Sequence, residues 1–135
     1  MSTTSALLRI RAAAQNGELD VVCTRLGIRV LTVFGSAVRG ATSPRDLDIA
    51  VLYQPGGTPD DLRTLEQLSD LAGTDQIDLL VLDRATPTAR RNAVVPALPL
   101  FESEPGAFAS FQMAAIGEYL ETDWLRALDL DLLRR

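Results

Sequence analysis

Val33-Phe34-Gly35-Ser36-Ala37-Val38-Arg39-Gly40, followed after a loop by Arg45-Asp46-Leu47-Asp48-Ile49-Ala50-Val51, carries most of the structural information in this chain. Arg29 to Phe34 is β-branched and apolar and stops at Gly35, the pattern of a strand entering a tight turn. Ser36 to Gly40 reads as one helical turn, Thr42 to Pro44 as loop, and Asp46 to Tyr53 as a second strand. Strand side chains alternate with period two, so Asp46 and Asp48 leave the same face while Leu47 and Ile49 enter the core. Two adjacent carboxylates repel and raise each other's pKa unless a cation lies between them, which makes a hard divalent ion their natural occupant. Gly35 lets a ligand approach the backbone, and Ser36 opens a short helix whose free amides and hydroxyl suit a phosphate.

Upstream, Ser5 to Ala14 and Glu18 to Leu26, the latter bounded by Gly17 and Gly27, predict one or two short packing helices. Downstream, a helix starts at Thr58 or Pro59, with Asp60 and Asp61 in its first turn and an apolar stripe of Leu62, Leu65, Leu68 and Leu71, and Gly73 stops it. Gln76 to Asp83 is nearly continuous in apolar residues, which predicts a third strand at the centre of the sheet. Thr86 to Val95 predicts a helix, and Leu98 to Phe101 a short extended piece. From Gly106 to Leu133 the pattern is helical, with a break near Thr122. The expectation is a small α/β domain: a mixed sheet of three or four strands, helices packed on one face and the other face open as a cleft. Residues 1–135 form a single domain in this reading, with N-terminal helices over 5–26, a catalytic core over 29–83 and a helical C-terminal region over 86–135.

Composition narrows the chemistry. The chain has 135 residues, 18 of them acidic and 13 basic, for a net charge of −5, and it contains no histidine and a single cysteine, Cys23. All the basic residues are arginine. Histidine-based nucleophile pairs, zinc helices, Schiff bases and the P-loop lysine are therefore excluded. What remains is chemistry run by carboxylates, hydroxyls, arginine, backbone amides or a hard metal ion on oxygen ligands. The acid surplus argues against direct nucleic-acid binding, because phosphate backbones need a basic face. No apolar run is long enough to span a bilayer, and Arg9 and Arg11 interrupt the first apolar stretch, so a cytoplasmic location is the expectation.

Asp78 falls early in the third predicted strand, and if that strand lies beside the second it joins Asp46 and Asp48 at one end of the sheet. Three carboxylates and a triphosphate describe two-metal phosphoryl or nucleotidyl transfer, a chemistry that needs neither histidine nor lysine. Gly35-Ser36, Asp46-Leu47-Asp48 and Asp78 together resemble the minimal nucleotidyltransferase domains of the DNA polymerase β-like superfamily. Leu100-Phe101-Glu102 followed by the Phe108 to Asp123 helix is similar to the usual end of such domains, whereas Arg45 stands where a serine is common. The resemblance implies a small nucleotidyltransferase fold and an antitoxin of the HEPN/MNT type, an enzyme using ATP and two Mg2+ ions to add AMP to a tyrosine of a HEPN ribonuclease toxin. In that role Asp46, Asp48 and Asp78 are the metal ligands and catalytic residues, and Gly35, Ser36 and Arg39 bind the nucleotide.

The chain is too short to add a substrate domain of the kind a stand-alone aminoglycoside nucleotidyltransferase carries, which points to an acceptor on another protein. A non-catalytic antitoxin acting by direct binding and a small-molecule nucleotidyltransferase are the alternatives. Arg39 reads equally as a phosphate ligand or as a solvated arginine paired with Asp46 or Glu18. Arg90 and Arg91 read as a solvated helix face rather than a nucleotide clamp, Cys23 as a buried hydrophobe, and Asp75 and Asp83 as turn and cap residues. Phe108, Phe111, Tyr119 and Trp124 read as core, with enough Leu and aromatic residues in the last helix to leave apolar surface for a partner.

Overall fold

The computed structural model describes residues 2–38 and 46–134. Among them, helices α1 (Thr3–Asn16) and α2 (Glu18–Leu26) lead into strand β1 (Ile28–Phe34) and a 3-10 turn at Gly35–Ala37. Strand β2 (Leu47–Tyr53), helix α3 (Asp61–Ala72), strand β3 (Ile77–Val81) and a 3-10 turn at Leu82–Arg84 follow. Helix α4 (Pro87–Val94), strand β4 (Ala97–Glu102) and helices α5 (Ala107–Glu121) and α6 (Asp123–Arg134) complete the order. Side chains begin the helices where the sequence supplies an oxygen. Ser2 accepts from the Ser5 amide at 3.1 Å, Asp60 from Arg63 at 3.1 Å and Thr86 from Ala89 at 3.1 Å, so orphan amides of the first turns are satisfied. Pro87 occupies the first turn of α4, where its missing N–H costs nothing.

The strands form one mixed sheet in the order β3-β2-β1-β4, with β1 antiparallel to β2 and β4, and β2 parallel to β3. The third strand is therefore at an edge, not at the centre as its apolar run suggests. The run has another cause. Ile77 and Val81 enter the larger core with Leu79 packed against it, while Leu80 and Leu82 join a smaller cluster, so this edge strand is covered on both faces.

The larger core lies on the face where Leu31, Val33, Leu47, Ile49 and Val51 meet Ala6 and Ile10 of α1, Leu19 and Cys23 of α2, and Leu68 and Ala72 of α3. Most of these side chains are wholly buried, and each Leu or Ile so placed contributes roughly 1.5–3 kcal/mol. The second face carries the smaller cluster, in which Ala50, Leu82 and Ala93 are packed by Phe34, Leu52, Leu80 and Phe111. Buried Thr32 donates its hydroxyl to the Ala93 carbonyl at 3.1 Å, fastening α4 across β1. Helices α4 and α5 thus cover part of the second face and leave it open toward the end of the sheet where β1 finishes and β2 and β3 begin. Beyond Thr122 the helix breaks as predicted, and α6 has no buried residue. None of the described helices is long and apolar enough to cross a membrane.

Candidate active site

At the open end of the second face, strand register lines up one row of residues: Asp78 beside Asp48, Asp48 beside Phe34, and Phe34 beside Ala97. Alternation places Asp48 on the same face as Ala50 and Leu52, and Asp78 on the same face as Leu80, away from the larger core. Parallel pairing of β2 with β3 thus brings two carboxylates, thirty residues apart in sequence, onto adjacent strands. Asp46 stands exposed just before β2, whose start is fixed by the Leu47 amide donating to the Gln76 carbonyl at 3.0 Å.

Gly35 follows Phe34 with φ +75°, a left-handed conformation that favours glycine. A Cβ built there would come within 2.1 Å of Asp48 Oδ2, so the Asp48 carboxylate lies directly on the glycine backbone. The turn that begins at Gly35 carries Ser36, half-buried. A cleft of about 330 Å³ opens here, lined by Phe34, Gly35 and Asp48 from the sheet end and by Arg91, Asn92, Val95 and Pro96 from the end of α4 and the segment after it.

Of the candidate site residues, the fold brings Gly35, Ser36, Asp48 and Asp78 to one sheet end, with Asp46 at the entry to β2. Arg39 lies outside the described residues, as does Arg45. Among the described residues, no three acidic or thiol side chains are gathered closely enough to hold a metal ion, so Asp46, Asp48 and Asp78 share a sheet end without forming a closed cluster. The donor set itself fits a hard divalent cation: carboxylate oxygens on adjacent strands, set against a glycine that leaves room for a ligand.

The two arginines of α4 are not a solvated face. Arg90 is fully engaged, donating Nε to the Leu82 carbonyl at 2.9 Å, Nη2 to the Asp83 carbonyl at 3.1 Å and Nη1 to Glu118 at 3.2 Å. Arg91 lines the cleft together with Asn92. Neither role is legible in sequence, because which side of α4 meets the cleft depends on how the helix crosses β1. Asp83 acts as a local cap, its carboxylate accepting from the Tyr53 amide at 3.1 Å at the end of β2. Trp124 is not core but 62% exposed.

Comparison with known proteins agrees with this fold. The chain resembles solved toxin-antitoxin structures: a complex with AMP-PNP (19% identity, 88% of this chain and 98% of that chain, TM-score 0.69) and the MntA-HepT complex (18% identity, 88% and 96%, TM-score 0.65). A third is the Shewanella oneidensis complex of a tri-AMPylated HEPN toxin with MNT antitoxin (19% identity, 93% and 99%, TM-score 0.67). These likenesses establish the fold. No curated protein sequence matches the chain significantly. The family model described as "Polymerase beta, Nucleotidyltransferase" matches residues 19–105, which span the sheet, the Gly35 turn and both strand aspartates. This chain belongs to the polymerase β nucleotidyltransferase family and carries its nucleotidyltransferase fold.

Proposed function

We propose that this nucleotidyltransferase is the antitoxin of a HEPN/MNT pair, transferring AMP from ATP to a tyrosine of its HEPN toxin. The observation that carries the reading is the row in which Asp48, resting on Gly35 and lining the cleft, is the register partner of Asp78 on the neighbouring strand. Structural relatives that hold AMP-PNP or a tri-AMPylated toxin support the choice of nucleotide and acceptor.

The acceptor hydroxyl oxygen forms a bond to the α-phosphorus of ATP while the bond from that phosphorus to the pyrophosphate oxygen breaks. Asp46, Asp48 and Asp78 would hold two magnesium ions, whose charge offsets the carboxylates and the triphosphate and steadies the leaving pyrophosphate. Asp78, on the edge strand and exposed, takes the proton of the acceptor hydroxyl and orients it. Gly35 and Ser36 cradle the triphosphate, the glycine by admitting it close to the backbone and the serine through its hydroxyl. Arg39 is proposed as a further phosphate ligand. The acceptor arrives on a protein that docks on the apolar surface of α5 and α6, where Leu120, Trp124 and Leu128 are exposed.

Co-expression with a HEPN toxin, followed by intact mass measurement, tests the reading. The parental chain is expected to leave the toxin heavier by one or more AMP units. Asp46→Asn/Asp48→Asn is expected to leave it unmodified, and Asp48→Asn alone to slow transfer by at least roughly a hundredfold, the loss of several kcal/mol of transition-state stabilisation. Protection of cells by the double variant with an unmodified toxin would show instead that neutralisation is by binding alone.

A further inference from the structure

We infer that Arg91 binds the polyphosphate of the incoming nucleotide, with the Tyr119 ring supporting its guanidinium; this rests on the reading of the cleft as a nucleotide site. Arg90 and Arg91 are adjacent on α4, so their side chains leave the helix about 100° apart and serve different ends. Arg90 spends its donors on the protein, tying α4 to the turn after β3 and to Glu118 of α5, which fixes where the next residue points. Arg91 shares the cleft with Gly35 and Asp48. Its contacts are of a different kind: Nη1 donates to Asn92 Oδ1 at 3.3 Å, and the guanidinium carbon lies 5.5 Å from the Tyr119 ring centroid.

No carboxylate pairs with Arg91 among the described residues; the ion pairs there are Arg29–Glu104, Arg84–Asp61, Arg90–Glu118 and Arg126–Asp123. An aromatic ring attracts a cation without consuming its N–H groups, so most of the five donors of Arg91 remain available for an anion. The same ring also supports Arg126, whose guanidinium carbon is 3.9 Å from the centroid and which donates to the Tyr119 carbonyl at 2.7 Å. Tyr119 is thereby tied from the side of α6 and offers Arg91 a fixed neighbour. In a chain with an acid surplus, a guanidinium in the cleft beside Asp48 is suited to phosphate oxygens, which it can grip in pairs with its planar fork. Charge that develops on the leaving pyrophosphate would strengthen that grip in the transition state.

Calorimetry of the purified chain with magnesium, using ATP, inorganic tripolyphosphate and adenosine as separate ligands, tests the assignment. Arg91→Ala is expected to weaken ATP and tripolyphosphate binding by roughly tenfold or more, the loss of a charge-assisted contact, and to leave any adenosine binding unchanged. Arg91→Lys should recover part of the loss, and Tyr119→Leu should weaken tripolyphosphate binding by a smaller factor with Arg91 intact. Melting curves matched to the parental chain confirm that the variants are folded. Parental affinity for ATP and tripolyphosphate in Arg91→Ala overturns the assignment and leaves the nucleotide site standing. So does a loss that appears with adenosine. A parental chain that binds neither ATP nor tripolyphosphate overturns both.

Discussion

Gly35 is the residue on which the site geometry rests most directly. Its positive φ and the Asp48 carboxylate above it are two separate reasons for having no side chain there. In Gly35→Ala the methyl group would meet Asp48 Oδ2 at 2.1 Å, so the carboxylate or the turn must move, and the left-handed conformation would add about 1–2 kcal/mol. Nucleotide transfer is expected to fall by at least tenfold in this variant while the chain still folds, because the larger core lies on the opposite face. Single-turnover transfer measured beside a melting curve checks this. Transfer at the parental rate would mean that Asp48 does not need its present position.

At the scale of elements, α6 contrasts with every other helix. Helices α1 to α5 each bury residues, whereas α6 buries none and exposes Trp124 at 62% and Leu133 at 83%. Its attachment is polar, through Arg126 to the Tyr119 carbonyl and to the Thr122 hydroxyl at 2.6 Å. A chain ending at Thr122 should therefore melt within roughly 5 °C of the parental chain, since little apolar surface is lost from the core. It should also lose stable capture of the HEPN toxin proposed as its partner in co-purification. A truncated chain that fails to fold would place α6 among the stabilising elements; one that folds and still captures the partner would move the docking surface elsewhere.

For the molecule as a whole, the absence of lysine simplifies the alkaline behaviour, because no lysine ammonium is discharged as pH rises and arginine keeps its charge. Two buried acids titrate there. Burial, aided by Asp20, pushes the Cys23 thiol up to about 12 from 9.0. Burial likewise pushes the Tyr53 phenol up to about 12 from 10.0, with its hydrogen bonds to Thr64 and Asp61 opposing one another. Both groups hold their protons in the folded chain at pH values where the unfolded chain has released them. Their contribution is thus fully present below about pH 9 and is lost as pH rises through about 12. The denaturation midpoint should fall between pH 8 and pH 11, and the fall should be smaller in Cys23→Ala/Tyr53→Phe, although that variant starts from a lower midpoint. An equal fall in both chains would assign the effect to other groups.

Local pattern alone determined a great deal of this protein. The β-branched run into Gly35, the alternation through Leu47-Asp48-Ile49 and the glycine-bounded Glu18–Leu26 helix are short-range signals that form where their patterns predict, whereas Asp46, read as the first strand residue, stands just outside β2. The buried state of Cys23, Leu47 and Ile49 follows from the same periodicity. Tertiary structure decided which strands are neighbours. An apolar run records how many faces are covered, not where a strand sits in the sheet, so β3 reads as central although it is an edge covered on both faces. The pairing of Asp48 with Asp78 likewise depends on the parallel crossover through α3, which no spacing rule dictates. The separate fates of Arg90 and Arg91 were set by the crossing of α4 over β1, where the Thr32 hydroxyl holds the Ala93 carbonyl: a rotation of that helix by about a quarter turn would aim Arg90 instead of Arg91 at the cleft.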